Sequence, residues 1–145
     1  MTGGRTLEEL LAAASARISR LEPRDAFAAT TKGALIVDIR SDEARRRDGV
    51  VPGSLHIPRT VLEWRVAPDS TTRNPHIRGP EQQLVLLCDH GYSTVLAAAE
   101  LVDLGFATVG DVIGGFAAWK EAGLPVAEAP SSSPALPGMG PPAVA

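Results

Sequence analysis

The chain is poor in the residue types that would announce several kinds of protein. It has one cysteine, Cys88, in 145 residues. That excludes an internal disulfide framework, a Cys-X-X-Cys redox pair and a four-cysteine zinc site. Its three histidines, His56, His76 and His90, lack metal-ligand spacing, so no metal and no cofactor is expected. Positive charge is not in excess: Lys+Arg is 14 against Asp+Glu of 17, a net charge of −3. No basic footprint for nucleic acid follows from that balance. Aromatic residues are scarce at 4%, and no basic stripe accompanies Trp64 or Trp119, which read as core or pocket wall. No apolar run approaches the roughly 18 residues that span a bilayer, so no membrane partner is expected. Glu8 and Glu9 interrupt any signal-peptide core, and a cytoplasmic location is the expectation. No internal repeat is visible.

What is present suits one ordinary domain with a tail. The apolar fraction of 44% can fill a core. Thr6 and Glu9 form a capping box before an apolar stripe at Leu7, Leu10, Leu11, Ala14, Ile18 and Leu21. The pattern predicts an N-terminal amphipathic helix within residues 1–22. Pro23 suits the first position of a second helix, running to about Thr30. Ala34 to Ile39 reads as a buried strand, with Asp38 and Arg40 at its C-terminal end. Ser41 caps the next helix, with acids in its first turn and Arg45, Arg46 and Arg47 in its last. That arginine run reads as a solvated helix end.

Val51-Pro52-Gly53 is a turn, Ser54 to Ile57 a short strand, and Thr60 to Arg65 one helical turn. Residues 66–80 form a Pro- and Gly-broken loop. Leu84 to Leu87 is a second buried strand, followed by Cys88, a small polar loop and a helix from Val95 to Leu104. Ala107 to Val109 reads as a strand and Phe116 to Ala122 as the last helix. Residues 127–145 hold five prolines and no charge after Glu128, so that tail is expected to be disordered. Strands alternating with helices imply an α/β fold with a small, mostly parallel sheet flanked by helices. Ligands bind beyond the carboxyl ends of strands in such sheets, where both Cys88 and Asp38 lie.

A lone cysteine after an apolar run is often core filler. The loop that follows Cys88 argues for a nucleophile instead. A thiol on a strand-to-helix turn faces backbone N–H groups and the positive end of the helix, and both favour a sulfur anion. Asp89, His90, Gly91, Tyr92, Ser93 and Thr94 make up this active-site loop. Gly91 permits a positive φ. Ser93 and Thr94 read either as hydroxyl hydrogen-bond donors or as helix caps, with capping the preferred role for Thr94. His90 reads either as a group that tunes the thiol or as a solvent-facing side chain.

Four pieces of the chain, in order, resemble the rhodanese family. They are Val37-Asp38-Ile39-Arg40, Gly49-Val50-Val51-Pro52-Gly53-Ser54, Cys88-Asp89-His90-Gly91-Tyr92-Ser93, and Gly114-Gly115-Phe116-Ala117-Ala118-Trp119 through Gly123-Leu124-Pro125. The resemblance covers roughly residues 23 to 125 and implies a single-domain, three-layer rhodanese-like domain over 23–126. Val50 stands where the family usually has His, and Ser93 where many members have Arg.

The resemblance implies a sulfurtransferase. Cys88 would take sulfane sulfur from thiosulfate or a similar donor as a persulfide, and pass it to a thiol or to cyanide, or to a protein acceptor. Loop donors would stabilise the sulfur anion; in other enzymes, removing one such donor costs on the order of 3 kcal/mol. Thiosulfate is a dianion, and the loop has no cation, so Arg59 and Arg65 are the candidate substrate-binding residues. Asp38 and Arg40 are expected to support the strand end. Two other readings stand beside this one. A phosphatase or arsenate reductase on the same fold needs Cys and then Arg at the sixth position, where this chain has Thr94. A non-catalytic binding or regulatory module would not need Cys88 at all.

Overall fold

A computed structural model describes residues 3–130 and 136–144. Helix α1 (Leu7–Ser15) opens on the Thr6/Glu9 capping box, in which each residue's side chain bonds the other's backbone N–H. Strand β1 (Ser19–Leu21) and helix α2 (Pro23–Thr30) follow. Then come β2 (Leu35–Asp38), α3 (Asp42–Asp48), β3 (Leu55–His56), a 3-10 turn (Arg59–Val61) and α4 (Leu62–Val66). The chain continues through β4 (Leu84–Leu87), α5 (Ser93–Asp103), β5 (Val109–Val112) and α6 (Gly115–Glu121). The five strands form one parallel sheet in the order β1-β5-β4-β2-β3. This is the α/β architecture read from the sequence.

The central strand β4 is wholly buried, because both faces of the sheet are covered. Its side chains alternate. Leu84 and Leu86 join α5 residues Ala97, Ala98 and Leu101 and α4 residues Leu62 and Val66 on one face. Val85 and Leu87 join α2 residue Ala26 and α6 residues Phe116 and Trp119 on the other. Burying each such Leu stabilises the fold by roughly 1.5–3 kcal/mol. Trp119 also donates from Nε1 to the Pro125 carbonyl at 2.8 Å. Trp64, in contrast to its expected place in a wall, is 61% exposed.

The N-terminal segment departs from the predicted single helix. α1 stops at Ser15, and residues 19–21 leave it to become the sheet edge, pairing Ser19, Arg20 and Leu21 with Gly110, Asp111 and Val112. The spacing of Ile18 and Leu21 continues a helical stripe, but Asp111 is buried and needs a cation. Arg20 supplies it from the neighbouring strand. β5 accordingly lies later than the Ala107–Val109 expectation.

The tail also departs from expectation over its described part, 136–144. Ala143 exchanges two backbone hydrogen bonds with the β3 approach, Gly53 N–H to Ala143 O and Ala143 N–H to Ser54 O, both 2.7 Å. Asn74, fully buried, donates from Nδ2 to the carbonyls of Gly138 and Gly140 at 2.9 and 3.0 Å. The expected disorder of residues 131–135 and of residue 145 lies outside the described residues. Among the described residues no helix is long and apolar enough to cross a membrane.

Candidate active site

β4 delivers Cys88 to the carboxyl edge of the sheet, and α5 begins five residues later at Ser93. The intervening loop is tied down from behind. The Phe116 and Ala117 N–H groups at the start of α6 donate to the carbonyls of Cys88 and Asp89, at 2.8 and 3.1 Å. Gly91 sits at φ +83, and this turns its N–H onto the Cys88 sulfur at 3.1 Å. Cys88 itself is 6% exposed. His90, Tyr92 and Ser93 face solvent.

Thr94 does not cap α5. The helix starts without a side-chain cap, and the buried Thr94 hydroxyl points inward. Its oxygen accepts from the Cys88 thiol at 3.6 Å, and its O–H donates to Asp111 Oδ2 at 2.7 Å. Burial pushes the Cys88 thiol up, but the polar contacts of the Ser93 and Thr94 side chains and of the Thr94 and Gly91 backbone outweigh it. The net pKa lies below the ordinary thiol value. Thr94 has one hydroxyl proton, and the short bond to a carboxylate holds it more strongly than a sulfur at 3.6 Å would. The Gly91 N–H, at 3.1 Å, is therefore the geometrically placed support for a sulfur anion, with Ser93 a further influence that lowers the thiol pKa.

A second cluster lies at the end of β2. Buried Asp38 accepts from Arg40 N, Nε and Nη2 at 3.1, 3.0 and 2.8 Å. Arg45 Nε adds an ion pair at 3.3 Å, without hydrogen-bond geometry. Arg40 also donates from Nη2 to the Gly49 carbonyl at 2.9 Å and stacks 4.1 Å from the centroid of the Phe116 ring. Its Nη1 lies 4.0 Å from Asp89 Oδ1. Arg40 thus sits beneath the loop, against both Asp89 and the residue that holds the Cys88 carbonyl.

The two candidate substrate arginines are engaged elsewhere. Arg59 pairs with Glu63 at 3.0 Å and with Glu100 at 3.2 Å. Arg65 is 8% exposed and donates to the Pro137 and Thr72 carbonyls at 2.8 and 3.2 Å. Neither guanidinium bonds the loop. Two cations do meet the loop: Arg40, at Asp89, and Arg20. Arg20 donates from Nη2 to the Gly91 carbonyl at 3.0 Å and grips Asp111 through Nε and Nη2, each at 3.0 Å. Neither Arg20 nor Asp111 was a candidate from sequence. The sequence marks neither one, because the strand expected over Ala107–Val109 stops short of Asp111.

A groove of about 460 Å³ opens beside the loop, lined among others by Arg47, Asp48, Asp89, His90, Phe116 and Lys120. Its charges are mixed. Among the described residues there is no group of three or more His, Cys, Asp or Glu side chains that could hold a metal ion.

Comparison with known proteins bears on this geometry. The rhodanese-like domain profile matches residues 24–122. The thiosulfate sulfurtransferase GlpE of Stutzerimonas stutzeri is 35% identical over 101 residues, covering 70% of this chain and 84% of that protein. GlpE of Pseudomonas entomophila is 33% identical over 102 residues, with the same coverage. Among solved structures, a Rhodopseudomonas palustris protein of unknown function, described as a possible tyrosine phosphatase, is 34% identical with a TM-score of 0.77. The match covers 87% of this chain and 97% of that one. The polysulfide-sulfur transferase homodimer of Wolinella succinogenes shares the fold, at 24% identity, a TM-score of 0.66, and coverage of 89% and 92%.

Proposed function

The chain belongs to the rhodanese-like family, and on that premise we propose that it is a sulfurtransferase working through a persulfide on Cys88. The observation that carries this reading is the Gly91 N–H donated to the Cys88 sulfur at 3.1 Å, in a loop that lowers the thiol pKa. The Cys88 thiolate attacks the outer sulfur of thiosulfate. A new S–S bond forms as the old one breaks, and sulfite leaves with the electron pair. The terminal sulfur then carries the negative charge, which Ser93 and the backbone N–H groups of the loop stabilise. A thiolate or cyanide attacks that sulfur, leaves as a persulfide or thiocyanate, and returns the Cys88 thiolate. This is covalent catalysis that divides one transfer into two steps. The groove beside Asp89 and His90 is the approach for the acceptor, small or protein-borne.

A phosphatase reading is favoured only by the likeness to the possible tyrosine phosphatase. The position that would need a bidentate guanidinium is Thr94, whose side chain is buried and bound to Asp111.

Intact mass after incubation with thiosulfate tests the proposal. The expected result is a gain of one sulfur atom, lost on adding cyanide and absent in a folded Cys88→Ser protein. No gain, together with hydrolysis of an aryl phosphate, would replace the proposal with a phosphatase. Silence in both assays would leave a binding module.

A further inference from the structure

Arg20 and Asp111 reach the Cys88 sulfur by two routes. Arg20 Nη2 donates to the carbonyl of Gly91, the residue whose N–H donates to the sulfur. Arg20 also pairs with Asp111, which takes the proton of the Thr94 hydroxyl, whose oxygen contacts the sulfur. Asp111 is fully buried, while the Arg20 side chain is 33% exposed. A merely structural ion pair between strands would not need its second oxygen on a hydroxyl that touches the nucleophile.

We propose that Arg20 and Asp111 are positioning residues that set the protonation and reactivity of Cys88 from outside the loop, with opposite signs. This deepens the sulfurtransferase reading and rests on it. Asp111 opposes the sulfur anion: it adds negative charge and draws the Thr94 proton away from the sulfur. Arg20 favours the anion: it neutralises that carboxylate and, by anchoring the Gly91 carbonyl, restrains the residue whose N–H donates to the sulfur. The coupling is felt in return. Arg20 is pushed up first by its hydrogen bond to Asp111, against burial, then by the charges of Asp111 and Cys88. The other charged groups facing the loop are Asp89, His90, the Arg40–Asp38–Arg45 cluster, and Arg47, Asp48, Lys120 and Glu121 along the groove, and the test leaves all of them in place.

Cys88 is the only thiol, so its titration can be read without ambiguity by ultraviolet thiolate absorbance and by the pH dependence of alkylation. Asp111→Asn should lower the Cys88 pKa by about one unit, tenfold in thiolate at a pH below the midpoint. Arg20→Gln should raise it by a similar amount and lower kcat for thiosulfate:cyanide transfer, whereas Arg20→Lys should stay near the parent value. Should Arg20→Gln fail to fold, Asp111→Asn decides, since its orphaned partner Arg20 can hydrate. An unchanged or raised thiol pKa in folded Asp111→Asn overturns the proposal. The titration needs no turnover. A protein that forms no persulfide yet shows the opposed shifts would refute the sulfurtransferase reading alone.

Discussion

Arg65 Nε donates to the carbonyl of Pro137 at 2.8 Å, across 72 positions of sequence, and so fastens the C-terminal segment to α4. The same segment bonds Asn74 and the strand approach at Gly53 and Ser54. Ending the chain at residue 130 is therefore expected to destabilise it. Each lost hydrogen bond is worth about 0.5–1.5 kcal/mol net. The freed groups regain water, so the total should be about 2–4 kcal/mol. Calorimetry should show a fall in Tm of several degrees. An unchanged Tm would mean that the segment contributes nothing to stability.

The charge cluster at the end of β2 makes a second prediction. Asp38 is fully buried between Arg40 and Arg45, whose side chains are 1% and 8% exposed. Burial alone already pushes the Arg45 guanidinium down, and Asp38 is the largest influence opposing it. Asp38→Asn would leave two buried cations with only the more distant and more exposed carboxylates of Asp89 and Asp42, at 4.0 and 3.9 Å. Breaking such a pair costs about 3–5 kcal/mol. Urea unfolding should show a loss of that size, and a loss below about 1 kcal/mol would place the cluster among ordinary surface pairs.

The contrast between these two regions shows what a sequence makes legible. β4 was readable because four consecutive apolar residues have no other stable place than a covered sheet centre. The Cys88 loop was readable because a small polar run between a strand and a helix leaves few geometries. The Thr6 and Ser41 caps are local, three residues from their partners. The Arg20–Asp111 pair joins positions 91 apart, and nothing near either one marks the other. Over residues 136–144 the packing of the tail is illegible for a similar reason. Its composition offers little apolar area, but its backbone carbonyls are what Arg65 and Asn74 bind, and every residue has a carbonyl.

His56 gives the fold a pH dependence of definite sign. Its Nε2 lies 2.7 Å from the Arg40 carbonyl. Burial is the main cause that holds its pKa below the usual value, against that hydrogen bond, with the nearby Arg45 charge adding to the depression. A neutral ring donates Nε2–H to the carbonyl. The unfolded chain then binds the extra proton first, so stability is fully present above the unfolded value of about 6.5 and is lost as pH falls toward the folded one. His56→Gln can keep a donor to Arg40 without titrating. Stability measured from neutral pH downward should fall in the parent protein and flatten in this variant across that window. Parallel curves would assign the dependence to other groups.

Gly91 and Gly53 separate backbone strain from chemistry. Both have positive φ, +83 and +82. An added Cβ at Gly53 meets nothing within 4 Å, whereas at Gly91 it would lie 2.8 Å from the Gly114 nitrogen and 3.2 Å from the Val112 carbonyl oxygen. Those neighbours are backbone and cannot swing aside. Gly53→Ala should cost only the conformational penalty, about 1–2 kcal/mol. Gly91→Ala should cost more, because the loop must move, and the move takes the Gly91 N–H off the sulfur. The thiol pKa would rise toward its ordinary value, since one of the donors that lowers it is gone. Alkylation of Cys88 near neutral pH, followed by intact mass, should therefore slow several-fold in folded Gly91→Ala and stay unchanged in Gly53→Ala. Equal rates in the two variants would remove Gly91 from the support of the sulfur anion and leave it a purely structural glycine.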